Sequence, residues 1–77
     1  MIRLYGKKDC HLCDEARSML SGISAEYLDI SEDFSLLARY GLRIPVIARS
    51  DGAELDWPFD REELNRFLAQ ALHAPDQ

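Results

Sequence analysis

Apolar and polar positions alternate along "IRLY", Ile2 to Tyr5, and the run stops at Gly6, a pattern that predicts a short strand. After the loop "GKKDC" the period changes. Leu12, Ala16, Met19, Leu20 and Ile23 recur at helical spacing, so a helix is expected from Cys10 or His11 to about Gly22. "AEYLDI" is rich in strand formers. Ser31 follows as an expected helix N-cap, with Glu32 and Asp33 in the first turn. Phe34, Leu37 and Ala38 would form the apolar side of that second helix, and Gly41 stands where a C-terminal glycine belongs.

"PVIA", beginning at Pro45, reads as a short apolar strand; "SDG" signals a turn and "AEL" a further strand, together a hairpin. Asp60 and Glu63 then have the spacing of a capping box, and Phe59 and Leu64 that of a hydrophobic staple. Leu64, Phe67, Leu68, Ala71 and Leu72 make one stripe of the last helix, before a frayed tail "HAPDQ". The order is βαβαββα. Helices between the first three strands imply parallel pairing through right-handed crossovers, and the hairpin adds an antiparallel strand. The expected architecture is a four-stranded mixed sheet with helices on both faces, in a single domain over residues 1–77.

Composition narrows the function classes. Seventy-seven residues, 47% of them hydrophobic, suit one globular core. The net charge of −5 argues against a nucleic-acid binder. The start "MIRLYGKKDC" has no long apolar run and no stretch reaches membrane-spanning length, so no membrane partner and a cytoplasmic, reducing location are expected. Two cysteines three apart close too small a loop to be a secreted disulfide framework. Among the charges, Lys7 and Lys8 stand just before Cys10, and Arg43 precedes "IPV".

Cys10 and Cys13 admit three readings. Two cysteines a helical turn apart can simply pack as small hydrophobes. They can hold a metal, but a structural zinc site wants four ligands, and only His11 and His73 are available besides. A cluster bridged between two chains stays open. The third reading is redox. The pair falls at a strand–helix junction, where free backbone N–H groups and the helix dipole stabilise an anion. A thiol with its ordinary pKa of ~8.5 is only about 3% ionised at neutral pH; lowering it by ~2 units makes it mostly thiolate. Cys10, first in the helix and beside two lysines, is placed for that shift, and Cys13, one turn in, for the resolving role. A CxxC beside a βαβ pattern reads as a thioredoxin-like motif. His11 would sit on the surface and tune Cys10. Were the Ile44–Pro45 bond cis, the Ile44 backbone would turn outward, its N–H and C=O free for a substrate strand.

Over essentially its full length the chain resembles a glutaredoxin-like member of the thioredoxin-fold superfamily, in particular small bacterial proteins carrying "CHLC", "YGLRIPV" and "WPFD". The resemblance implies a thioredoxin-like fold and thiol–disulfide oxidoreductase activity on a protein or small-molecule disulfide. It implies Cys10 as nucleophile, Cys13 as resolving thiol, Pro45 as a cis proline facing them, and Ile44 as the residue whose backbone holds substrate. Two departures bear on glutathione. His11 and Leu12 replace the usual proline and aromatic between the cysteines, and "DWPFD" replaces a Gly-Gly-acid segment.

Lys7, Lys8 or Arg43 could meet a glutathione carboxylate, but Trp57, Pro58 and the N-cap Asp60 obstruct the far end of that site. Glutathione is thus a doubtful co-substrate expected to bind weakly, no resident cofactor is expected, and Trp57 should wall the groove. A monomer is expected. The competing functions are a non-catalytic adaptor using the same groove, and an iron–sulfur or metal carrier assembled across a dimer.

Overall fold

A computed structural model describes residues 2–72, with side chains to residue 70. The elements are β1 (Ile2–Gly6), α1 (His11–Met19), β2 (Ala25–Asp29), α2 (Phe34–Tyr40), β3 (Val46–Arg49), β4 (Glu54–Asp56) and α3 (Arg61–Leu72). The sheet order is β2-β1-β3-β4. β1 pairs in parallel with β2, and both β1–β3 and β3–β4 are antiparallel.

The mixed four-stranded sheet is as expected, but β3 does not run parallel to the first two strands. The physical reason lies in α2. Its seven residues span only about 10 Å, so the helix does not carry the chain back along the sheet. β2 ends beside Gly6, and β3 begins beside Tyr5 at that same end, so the chain re-enters pointing the other way.

Period-2 alternation divides the core between two faces. Ile2, Leu4 and Ile47 face one way and pack with Ala16 and Leu20 of α1 and with Leu64 and Phe67 of α3. Tyr5 and Val46 face the other way, with Ile30, Tyr40 and the half-buried Leu36 and Leu37. Helices therefore cover both faces.

Three local expectations are corrected. Ser31 is not the N-cap of α2; its N–H donates to the Asp29 carboxylate, and Asp33 caps the helix by accepting from the Leu36 N–H at 3.0 Å. The later start rotates the helix, so Leu36, Leu37 and Tyr40 turn inward while Phe34 is 92% exposed and Ala38 is exposed. In α1 the buried line is Cys13, Ala16 and Leu20 rather than one through Leu12, which is exposed, as is Ile23 beyond the helix end.

Gly41 does end α2, but with right-handed dihedrals (φ −54°, ψ −34°). Space is what demands glycine there: an added Cβ would stand 2.5 Å from the Leu37 carbonyl oxygen. Gly52, in the β3–β4 turn, has a φ of +97° that favours glycine.

α3 starts as its sequence indicates. The Glu63 N–H donates to Asp60 at 2.7 Å, and the Asp60 N–H donates to Glu63 at 3.2 Å. Phe59 and Leu64 are both buried in one cluster. Arg61 reaches across to donate to the Met19 carbonyl at 3.1 Å, fastening α3 to the end of α1. The side chains of Ala71 and Leu72, and the tail with His73, lie outside the described residues. Among the described residues no helix is long and apolar enough to cross a membrane.

Candidate functional site: the CxxC pair at the end of the first strand

Strand β1 delivers the chain to the loop Lys7–Asp9, where Asp9 takes a left-handed φ of 57°. Asp tolerates that region better than most residues, and the turn brings Cys10 to the N-cap of α1 in extended conformation. The cap is made by sulfur: the Cys13 N–H donates to Cys10 Sγ at 3.2 Å. Cys10 and Cys13 are joined as a disulfide, their Cα atoms 5.2 Å apart. Cys10 is half-buried and Cys13 fully buried. One sulfur thus lies half-buried at the positive end of a helix, and the other is withdrawn into the core.

Gly6 lets the inner sulfur come this close. A Cβ on Gly6 would meet Cys13 Sγ at 3.0 Å, Cys13 Cβ at 3.1 Å and the Tyr27 hydroxyl at 3.1 Å. Carrying the Tyr5–Val46 register one residue further sets Pro45 beside Gly6. That register puts the proline at the sheet end that carries the cysteines; it is fully buried, and the Ile44–Pro45 bond is cis. The Pro45 carbonyl accepts from the Trp57 N–H at 3.1 Å, drawing the half-buried Trp57 to the same edge, its ring edge-on to Phe59 at 5.0 Å. The Trp57–Pro58 bond is also cis; nothing in the local pattern marked it.

One expected feature is absent. The Ile44 N–H is not free for a substrate strand, because it donates to the Tyr40 carbonyl at 3.0 Å in the turn that closes α2. Arg43 is likewise engaged within the chain. Its guanidinium donates to Asp56 at 2.8 and 2.9 Å and to Glu54 at 2.6 Å, and stacks over Tyr40. These hydrogen bonds, to Asp56 first and then Glu54, raise its pKa further above the ordinary arginine value.

The two lysines stay on the exposed surface. Lys8 lines a shallow pocket with Asp29, Ser31 and Glu32, and hydrogen bonds from Ser31, aided by the Lys8 charge, hold the Asp29 carboxyl below its usual range. Lys7 lends its carbonyl to the Tyr27 hydroxyl. His11 is exposed and bridges to Glu15 at 2.8 Å, an i,i+4 pair along α1. Leu12 is 42% exposed beside the outer cysteine. Asp60, engaged with Glu63, caps α3. Among the described residues no three His, Cys, Asp or Glu side chains converge as a metal site.

Two residues at this end escaped the sequence reading, Gly6 and Tyr27. Their signal was weak: the glycine read as a strand stop and the tyrosine as an ordinary strand former.

Comparison with known proteins agrees with this geometry. The model of a glutaredoxin-like domain (DUF836) matches residues 1–69. The X-ray structure of the Northeast Structural Genomics target protein XcR50 from X. campestris is similar at a TM-score of 0.86 and 40% identity, over 97% of this chain and 100% of that one. The solution structure of the same target gives a TM-score of 0.75 and 39% identity, over 96% and 95% of the two chains. No curated protein matches the chain.

Proposed function

This chain belongs to the family of the glutaredoxin-like domain (DUF836), and from that premise we propose that it is a thiol–disulfide oxidoreductase working through Cys10 and Cys13. The observation that carries the reading is the asymmetry of the pair. Cys10 Sγ accepts the Cys13 N–H at the head of α1, whereas Cys13 is fully buried. An amide hydrogen bond and the helix dipole both favour the Cys10 thiolate, the nucleophilic form.

In the reduced protein Cys10 attacks a substrate disulfide, forms a mixed disulfide and expels one substrate thiolate. Cys13 then attacks Cys10 Sγ. The Cys10–Cys13 bond forms and the second substrate thiolate leaves, so two thiols have supplied two electrons. Pro45 and Trp57 would wall the substrate groove, with the exposed Leu12 at its rim. A reducing, cytoplasmic setting would keep the dithiol charged with electrons.

The preferred partners are a protein disulfide as substrate and another dithiol as reductant, with glutathione bound weakly. A glutathione site would need an available cation, an open Ile44 backbone and free N–H groups at the last helix. Lys7 and Lys8 are exposed and could supply the cation, but Arg43 is held by Asp56 and Glu54, the Ile44 N–H by Tyr40, and the Glu63 N–H by Asp60.

The test is trapping. Cys10→Ser should abolish reduction of a model disulfide, and Cys13→Ser should accumulate a stable mixed disulfide at Cys10. Reduction of the oxidised protein by a dithiol such as dithiothreitol should outpace reduction by glutathione. Equal alkylation of both thiols at neutral pH would defeat the assignment of roles.

A further inference from the structure

Cys13 raises a chemical problem. Whenever the disulfide opens, by attack on Cys10, Cys13 leaves as a thiolate at a fully buried position. Whenever it resolves a mixed disulfide, it must pass through the same anion. Burial disfavours that charge unless a donor meets it, and among the described residues no polar or charged residue is buried in the core. The buried tyrosines Tyr5 and Tyr40 belong to the cluster on the other face of the sheet, which points to a half-buried neighbour of Cys13 as the donor.

We infer that this donor is the Tyr27 hydroxyl, a positioning residue that turns to the Cys13 sulfur when it becomes a thiolate. This rests on the dithiol reading above. The geometry comes from Gly6: the empty Cβ position of that residue lies 3.0 Å from Cys13 Sγ and 3.1 Å from the Tyr27 oxygen. Two polar atoms that flank one vacant methyl-sized point are at most about 6 Å apart, a gap that one bridging water spans. The present partner of the hydroxyl is the Lys7 carbonyl at 3.3 Å, long for an O–H···O bond. Rotation about the phenol C–O bond re-aims the hydrogen from that carbonyl toward a water bridging to the sulfur.

The surroundings keep the phenol a donor rather than a base. Burial first, then the charge of Asp29 on its own strand and that of Asp14 on α1, push its pKa up, against the opposing pull of Arg17 on α1. Arg17 also stacks over the ring at 4.7 Å, holding it between the edge strand and α1.

The electron accounting is unchanged by Tyr27. The Cys13 proton passes to solvent, the hydroxyl donates without transferring its own proton, and the departing substrate thiolate is reprotonated by water. What changes is how much thiolate Cys13 can offer. A hydrogen bond to a charged group is commonly worth one to two pH units.

Tyr27→Phe keeps the ring, its packing and the Arg17 stack, and removes only the hydroxyl. Its mixed disulfide should resolve about tenfold more slowly at neutral pH. The pKa governing resolution should rise by about one unit, while Cys10 alkylation in a Cys13→Ser background stays unchanged. In the unmodified reduced protein, the Tyr27 Cζ resonance should shift over the pH range in which Cys13 Cβ titrates. An unchanged pH profile in Tyr27→Phe, or a Tyr27 resonance blind to Cys13, overturns the proposal while leaving the oxidoreductase reading intact. Loss of thermal stability with no change in the profile would make Tyr27 merely structural and also overturns it. Failure of wild-type Cys10 to form any mixed disulfide would sink both readings.

Discussion

At the residue scale the cysteine site depends on a side chain that is missing. Gly6 has no positive φ, so its role is not conformational; it leaves room for Cys13. Gly6→Ala would place a methyl 3.0 Å from Cys13 Sγ and 3.1 Å from its Cβ. Cys13 is fully buried within α1 and its sulfur is bonded to Cys10, so relieving the contact shifts the helix. Overpacking of this kind costs about 1–3 kcal/mol. We expect a lower denaturant midpoint with an unchanged slope, together with a changed Cys10 alkylation rate as the head of α1 moves. A variant as stable as the parent would show that the helix yields freely.

Among the elements, α3 is the one whose beginning is most tightly specified, through the reciprocal bonds between Asp60 and Glu63. Removing an N-cap side chain of this type costs about 1 kcal/mol. In a chain of this size that lowers Tm by roughly 4–8 °C. Asp60→Ala should show that loss, and hydrogen exchange should quicken at the first-turn amides of α3 more than in α1. The Arg61 bond to the Met19 carbonyl predicts some spread to the end of α1, which the same experiment reads. Uniform quickening over all helices would mean that the cap stabilises the whole fold and not this element.

For the whole molecule, the α2 face is held by a polar network as well as by packing. Tyr5 stacks on Tyr40 at 4.2 Å; the Tyr40 hydroxyl donates to Glu54 at 2.6 Å, and Glu54 accepts from Arg43. β1, α2, the turn after it and β4 are thereby joined. Burial and the bond to Glu54 push the Tyr40 pKa up to about 12. A phenol whose folded pKa exceeds its unfolded value of about 10 contributes stability fully present below pH ~10 and lost as pH rises through the folded value. The oxidised protein should therefore lose about 2–3 kcal/mol between pH ~10 and ~12, a step missing from Tyr40→Phe. On the acid side Glu54 and Asp56 are held low, by Tyr40 and Arg43 respectively. Their stabilisation is present above about pH 4 and is lost as pH falls through their depressed values. Thermal unfolding across both ranges checks both signs.

What the sequence determined by itself was whatever depends on near neighbours along the chain. The alternation of "IRLY", the Asp60–Glu63 spacing, the "SDG" turn and the position of the CxxC at a strand–helix junction all rest on interactions within a few residues. The seven elements of the described residues, and the contrast between a half-buried Cys10 and a fully buried Cys13, follow from them. Only the tertiary structure decided what depends on distance through space. The direction of β3 turned on where a short α2 returned the chain. The N-cap of α2 moved from Ser31 to Asp33, because Leu36, Leu37 and Tyr40 had a face to bury against. Arg43 and the Ile44 N–H, read as open to a ligand, found partners in Asp56, Glu54 and Tyr40, groups that folding alone brings near. Gly6 and Tyr27 carry no local motif for chemistry; the parallel pairing of β1 with β2 and the crossing of α1 bring Gly6, the Tyr27 hydroxyl and the Cys13 sulfur around one point.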